Sequence, residues 1–376
     1  MSIGTVLLIV LCNMASFRAS KVIVSLFAIE LGASQFIIGI LIALYSLFPA
    51  MLAIYAGKLS DRLGVRLPML FGSLGMVAAL LLPWLFPSMP ALYASAALIG
   101  VTMMMYNVSV QNLIGSFGGA EDRTRNFSNY ALALALGSSI GPMAAGFSID
   151  FIGHARSYLI AAALPVVSVA ILAFTRGLSG GHRTKSEEEQ AVLSASLLAN
   201  PLLRRTLIAG AMAVTGQDLF QFYMPIFGHS VGLSASAIGV VLAMFGIAAF
   251  MVRVALPALV KRSGADAVFR RSLYVSAVAF LAIPLFDSAI ALSAVALVLG
   301  LGIGCAQPVT LMLIFSRAPE GRSGEAFGMR ATINQITHIA VPLIFGTIGS
   351  AFGVAPVFLA NALILAGAGA FNREKK

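Results

Sequence analysis

Apolar runs of about 20 residues follow one another along the whole chain, each broken by a short polar turn. A helix of that length crosses a hydrocarbon core of about 30 Å. The pattern predicts twelve spans, at 4–28, 36–56, 68–87, 91–113, 127–149, 157–174, 205–228, 236–258, 272–286, 290–314, 327–349 and 355–371. The first run is too long for a removable signal peptide and lacks a charged leader and a small-residue cleavage site. The expectation is an all-α integral membrane protein with twelve transmembrane helices.

The pattern also repeats. At a constant offset of 200 residues, "LGASQFIIG" (31–39) falls on "VGLSASAIG" (231–239), matching Gly32 with Gly232, Ser34 with Ser234, Ile38 with Ile238 and Gly39 with Gly239. The same offset pairs Gly64 with Gly264, Phe127 with Phe327, Pro142 with Pro342, Gly146 with Gly346 and Gly153 with Gly353. One ungapped register over so many positions implies two pseudo-symmetric six-helix bundles, 1–174 and 205–376. Parallel repeats of this kind are an architecture of secondary transporters, with a site near the midplane. The longest polar stretch, 175–204, is the linker between them. Ser186 and Glu189 form a capping box that opens a short helix within it, and Pro201 ends that helix.

Composition agrees with the pattern. Hydrophobic residues make up 59% of the 376 and charged residues only 10%, against about a quarter in soluble domains. With the N-terminus inside, nineteen of the 24 Lys and Arg residues fall in inner loops or the C-terminus and only Arg156 lies outside. By the positive-inside rule the chain is a multi-pass protein of the cell (inner) membrane with both termini cytoplasmic. The net charge of +10 is spread over those loops, which argues against a nucleic-acid partner. Cys12 and Cys305 sit inside apolar spans and read as buried free thiols.

Two motifs stand out. Between spans 2 and 3, "GKLSDRLGVR" (57–66) crowds Lys58, Asp61, Arg62 and Arg66 between Gly57 and Gly64. In span 5, "GSSIGPMAAG" (137–146) carries Gly137, Gly141, Pro142 and Gly146. With these motifs the chain resembles the major facilitator superfamily over essentially its whole length. The first is similar to that family's loop signature, and the second to its antiporter signature, with Ala145 in place of one glycine. The resemblance implies export in exchange for protons. It also implies that Asp61 faces the N-terminal end of span 11 as a latch. In the second repeat Lys261 stands at the equivalent of Asp61, so the acid belongs to the first repeat alone. The family's span 4 signature is poorly kept: "YNVSVQNLIG" offers Gln111, but Val108 stands where Arg is expected. Gly137 and Gly141, four residues apart, share a helix face and allow close backbone approach, and Pro142 kinks the helix. The expected seam is against a helix of the other repeat.

Charges inside a bilayer cost a few kcal/mol each and mark function. Span 1 carries Arg18 and Lys21 on one face. Span 7 carries Asp218, flanked by Gln217 and Gln221, and Asp218 is the offset partner of Arg18. The resemblance places spans 1 and 7 along a central cavity. Asp218 is then the leading proton-coupling carboxylate, exchanging between a proton or substrate and Arg18 or Lys21. The alternative is a static ion pair. Span 4 adds Asn107 and Gln111, and span 10 adds Gln307 at the position equivalent to Asn107. Arg330, Asn334 and His338 rise along span 11 in four-residue steps. Imidazole readily exchanges protons near neutrality, so His338 is the reserve carrier.

The resulting expectation is a transporter of a small organic solute, anionic or zwitterionic because the polar set is net basic. Its other partners are protons and the lipid bilayer, and it works as a monomer without cofactor or metal. The first reading is proton-coupled efflux. The second is an importer or facilitator of an organic anion, by proton symport or uniport. An enzyme is disfavoured: the four histidines never approach metal-site spacing. "GSSIG" matches a hydrolase elbow in letters only, because it lies inside an apolar helix and not at a strand–helix turn.

Overall fold

A computed structural model describes the backbone of residues 2–117, 120–175, 197, 199–319 and 322–372, and the side chains of these except 53–63, 115–116, 120–124 and 323. The linker capping box at Ser186 and Glu189 lies outside the described residues. So do the side chains of Lys58, Asp61 and Arg62.

Among the described residues twelve long helices follow in order. The first repeat supplies α1 (Ile3–Glu30), α2 (Gln35–Leu63), α3 (Arg66–Leu85), α4 (Met89–Ser116), α5 (Ala120–Ile152) and α6 (His154–Phe174). The second supplies α7 (Pro201–Ser230), α8 (Ala235–Ser263), α9 (Ala265–Ala282, extended by a 3₁₀ turn at Ile283–Leu285), α10 (Ala289–Arg317), α11 (Ser323–Phe352) and α12 (Val354–Phe371). Every helix contains its predicted span, apart from a residue or two at a terminus. Most run further, because hydropathy marks only the apolar stretch while a helix continues through charged residues into the interface. The start of α9 at Ala265, ahead of Arg270 and Arg271, shows this.

The 200-residue offset is written into the backbone. All six glycines with positive φ among the described residues fall into three offset pairs: Gly32 and Gly232 (77° and 80°), Gly64 and Gly264 (71° and 77°), Gly153 and Gly353 (81° and 85°). Each sits at a helix-to-helix corner that only glycine enters without strain. The α1–α2 corner closes with Leu31 N–H to Phe27 O, Gly32 N–H to Ile29 O and Ala33 N–H to Ala28 O. The α7–α8 corner repeats all three, with Val231 to Phe227, Gly232 to His229 and Leu233 to Gly228. Packing repeats too. A Cβ on Gly100 would lie 2.7 Å from Tyr45 O, and one on Gly300 would lie 2.4 Å from Phe245 O, so α4 rides on α2 as α10 rides on α8.

The chain forms two compact units, Met1–Arg183 with Pro225–Ala243, and Thr184–Met224 with Met244–Lys376. The hairpin joining α7 to α8 thus groups with the first six helices. In the first unit α1 is the core, buried along most of its length and packed on α5 and α6. Asn13 donates to Ser168 Oγ (2.8 Å) and Ser16 to Ala161 O (2.7 Å), fastening α1 to α6. In the second unit α9 packs on α10 and α12. Eleven of the twelve helices are long and apolar enough to cross a membrane; α7 is the exception. Large apolar side chains such as Phe151, Phe174, Ile290 and Leu363 stand outward, as a lipid-facing surface requires.

Candidate functional site

The polar residues lie on stripes of α1 and α7 that are only partly covered. On α1 the half-buried positions include Leu11, Met14, Phe17, Arg18 and Lys21. On α7 they include Ala211, Met212, Thr215, Gln217, Asp218 and Gln221, while the residues between these are buried. Four of these positions coincide at the 200-residue offset, so the repeats present the same helix face with different chemistry: cations on α1, an acid and two amides on α7.

In the second unit the stripe of α7 meets α10 and α11. His338 Nδ1 is in direct contact with Asp218 Oδ2, with side-chain exposures of 32% and 16%. Gln307 Nε2 of α10 donates to Gln217 Oε1 at 3.2 Å. The Tyr223 hydroxyl donates to Phe345 O of α11. Both α7–α11 ties advance in the same chain direction, as two parallel helices require. Asn334 and Arg330 lie one and two turns before His338, both half-buried. The carboxylate, the imidazole and two amides thus converge at one level of α7, and His338, expected only as the reserve carrier, is the side chain on Asp218. An Asp–His contact can hold or pass a proton, and an amide pair beside it can donate or accept without adding charge.

In the first unit the Lys21 ammonium lies over the Phe17 ring (5.1 Å to the centroid) and the Tyr45 ring (5.4 Å), a cation–π setting. The two rings meet edge to face at 5.6 Å. Gln111 lies beside the Tyr130 hydroxyl, and Asn107 is half-buried on the same helix face. Arg66 donates to Leu172 O (3.1 Å) and Ala173 O (2.9 Å), so this residue of the loop motif caps the end of α6. Gly64 takes the positive φ at the motif's corner.

The span 5 motif differs from expectation. Gly137 and Gly141 pack against α1 of their own repeat: added Cβ atoms would lie 2.9 Å from Met14 Cβ and 2.3 Å from Ala15 O. Gly146 instead meets α8, where a Cβ would lie 2.2 Å from Ala235 O. Gly239 of α8 returns the contact, its absent Cβ leaving room for Pro142 O (2.5 Å). The reason is helical phase. At about 100° per residue, nine residues carry Gly146 to the face opposite Gly137. One motif therefore serves two seams.

Sequence reasoning missed Tyr130 and Asp150, the latter just beyond the span 5 motif. Its Oδ1 accepts from Ala235 N–H (3.1 Å) and its Oδ2 from Ser236 N–H (2.8 Å). An acid following the glycine motif at the edge of a span was the available signal. The repeat was silent, because Ser350 occupies the equivalent position. No group of His, Cys, Asp and Glu suited to a metal ion occurs among the described residues.

Comparison with known proteins agrees with this architecture. The profile of the Major Facilitator Superfamily matches residues 6–342. The multidrug efflux pump LfrA of Mycolicibacterium smegmatis is 25% identical over 368 residues, covering 83% of this chain and 73% of its own. The multidrug resistance protein MdtG of Klebsiella pneumoniae is 24% identical over 334 residues, covering 86% and 80%. Among solved structures, the nucleoside transporter NupG superposes with a TM-score of 0.82 at 14% identity over 100% of both chains. A POT family transporter complexed with 5-aminolevulinic acid gives 0.79 at 13%, covering 98% of this chain and 94% of its own.

Proposed function

The chain belongs to the major facilitator superfamily, and from that premise we propose that it is a proton-coupled exporter of a small organic solute. It is a multi-pass membrane transporter and not an enzyme. The finer reading places it in the cell (inner) membrane as a monomer with both termini cytoplasmic and with the repeats 1–174 and 205–376 as its two halves. The observation that carries the reading is the Asp218–His338 contact between α7 and α11, beside the Gln217–Gln307 bond. A proton arriving at the Asp218 carboxylate neutralises it and loosens its tie to His338, between two helices of the second repeat. Transport then couples to protons because the pair must be reset in each cycle. Arg18, Lys21 and Arg330 supply positive charge, which supports an anionic or zwitterionic cargo. Two relatives named for multidrug efflux or resistance support the outward direction.

The test uses proteoliposomes with a pH-sensitive dye, scanning organic acids and zwitterions against an imposed pH gradient. Exchange moves protons opposite to cargo, and Asp218→Asn abolishes that movement while cargo still binds. Intact coupling in Asp218→Asn overturns the mechanism. Unchanged transport in both Asp218→Asn and His338→Gln supports the second reading, a facilitator of an organic anion, which Val108 in place of the family's span 4 arginine favours.

A further inference from the structure

We infer that Asp150 is a gating residue: its carboxylate latches the C-terminal end of α5 onto the start of α8 and must let go for the outer side to open. The inference rests on alternating access and the orientation proposed above, and is independent of export and of proton coupling.

The first turn of α8 has three backbone N–H groups without an intrahelical acceptor, and each is satisfied locally. Asp150 takes those of Ala235 and Ser236 with separate oxygens, and Ser234 Oγ accepts from Ala237 N–H at 3.2 Å. Two charge-assisted bonds at the positive end of a helix define both distance and orientation. One turn below, the helices touch backbone to backbone, because Gly146 leaves room for Ala235 O and Gly239 leaves room for Pro142 O. The carboxylate therefore closes a seam whose rigid part is already fitted.

Asp150 is also anchored from behind. The α5–α6 corner turns at Gly153, with φ of 81°, and His154 at the start of α6 pairs with Glu30 at the end of α1. Phe27 of α1 stacks on the His154 ring at 6.1 Å, nearly parallel. The ends of α1, α5 and α6 thus form one block from which Asp150 reaches α8. Ala235 and Ser236 belong to the second sequence repeat, so the bond ties one repeat to the other at the loop end that the charge bias places outside. Asp150 is itself solvent-exposed. On release, water replaces the two N–H donors, which keeps the latch weak enough to open in every turnover.

The test measures distances between spin labels at Pro87→Cys and Asp287→Cys, exposed loop positions on that side, in a Cys12→Ala, Cys305→Ala protein in nanodiscs. Asp150→Asn should raise the long-distance population about three- to tenfold. Ala235→Pro removes one of the two donors while leaving a residue tolerated at the first helical position, and should shift the distribution the same way. The double variant should add nothing beyond the larger single effect, since both cut one interaction. Unchanged distributions in both variants, a shift in Ala235→Pro alone, or fully additive shifts would each overturn the latch. Because the readout needs no cargo and no pH gradient, its failure leaves the Asp218 experiment standing.

Discussion

A carboxylate within a bilayer is held by whatever reaches it, and Asp218 is reached by an imidazole 120 residues further along the chain. The neighbouring Gln217–Gln307 bond should matter more to transport than to folding. Interhelical hydrogen bonds in membranes are worth about 0.6 kcal/mol on average. Gln307→Leu is therefore expected to move the thermal unfolding midpoint in detergent only slightly while lowering the transport rate severalfold; a large loss of stability with normal transport would reverse that assignment. Asp218 was legible because an acid amid apolar residues is conspicuous, and Arg330, Asn334 and His338 because four-residue steps share a helix face. Which side chains would meet was not legible. Periodicity identifies the polar face of a helix but not its rotation against a neighbour. Asp150 was hidden for another reason: at the edge of a span, charge is unremarkable.

Among the elements, α5 is the most constrained, because its glycines face two different helices. Gly141→Ala places a methyl group 2.3 Å from Ala15 O, a backbone atom that cannot step aside. The expected loss is about 1–3 kcal/mol, typical of overpacking, read as a lowered unfolding midpoint. Gly367→Ala on α12 is the contrast, since a Cβ there meets nothing within 4 Å. Its expected effect is neutral or a gain of up to about 1 kcal/mol from helix propensity, read in the same assay. The motif was readable as letters and as a kinked, glycine-lined helix. That its two ends serve different seams follows from counting residues around the helix, which the four-residue spacing of Gly137 and Gly141 does not reveal.

For the whole molecule, the repeat is the most legible property. The glycine pairs read from the sequence at 32/232, 64/264 and 153/353 are the corners of the fold, because a corner with positive φ accepts little else. The proposed gates break that symmetry. At the 200-residue offset Asp61 corresponds to Lys261 and Asp150 to Ser350; both acids belong to the first repeat. Asp61→Asn is expected to lower the transport rate without abolishing cargo binding, measured by equilibrium binding beside uptake. Loss of binding would remove the latch role from Asp61. If both latches act, weakening Asp150 favours the outward-open state and weakening Asp61 the inward-open one.

The polarity of α7 has a consequence for how the protein is made. Alone among the twelve helices it is not apolar enough to qualify as a membrane span, and an aspartate near mid-helix adds about 2.5–3.5 kcal/mol to the free energy of insertion. Left to itself, this segment should fail to enter the bilayer from the cytoplasmic side that the proposed orientation gives its N-terminal end. It needs a companion during synthesis, and α8, joined to it by the tight Gly232 corner, is the first that emerges after it. In a glycosylation-mapping assay, α7 alone should integrate poorly, Asp218→Leu should rescue it, and the α7–α8 hairpin should integrate without rescue. The residue proposed to couple transport to protons is then also the one expected to make biogenesis of the second repeat cooperative.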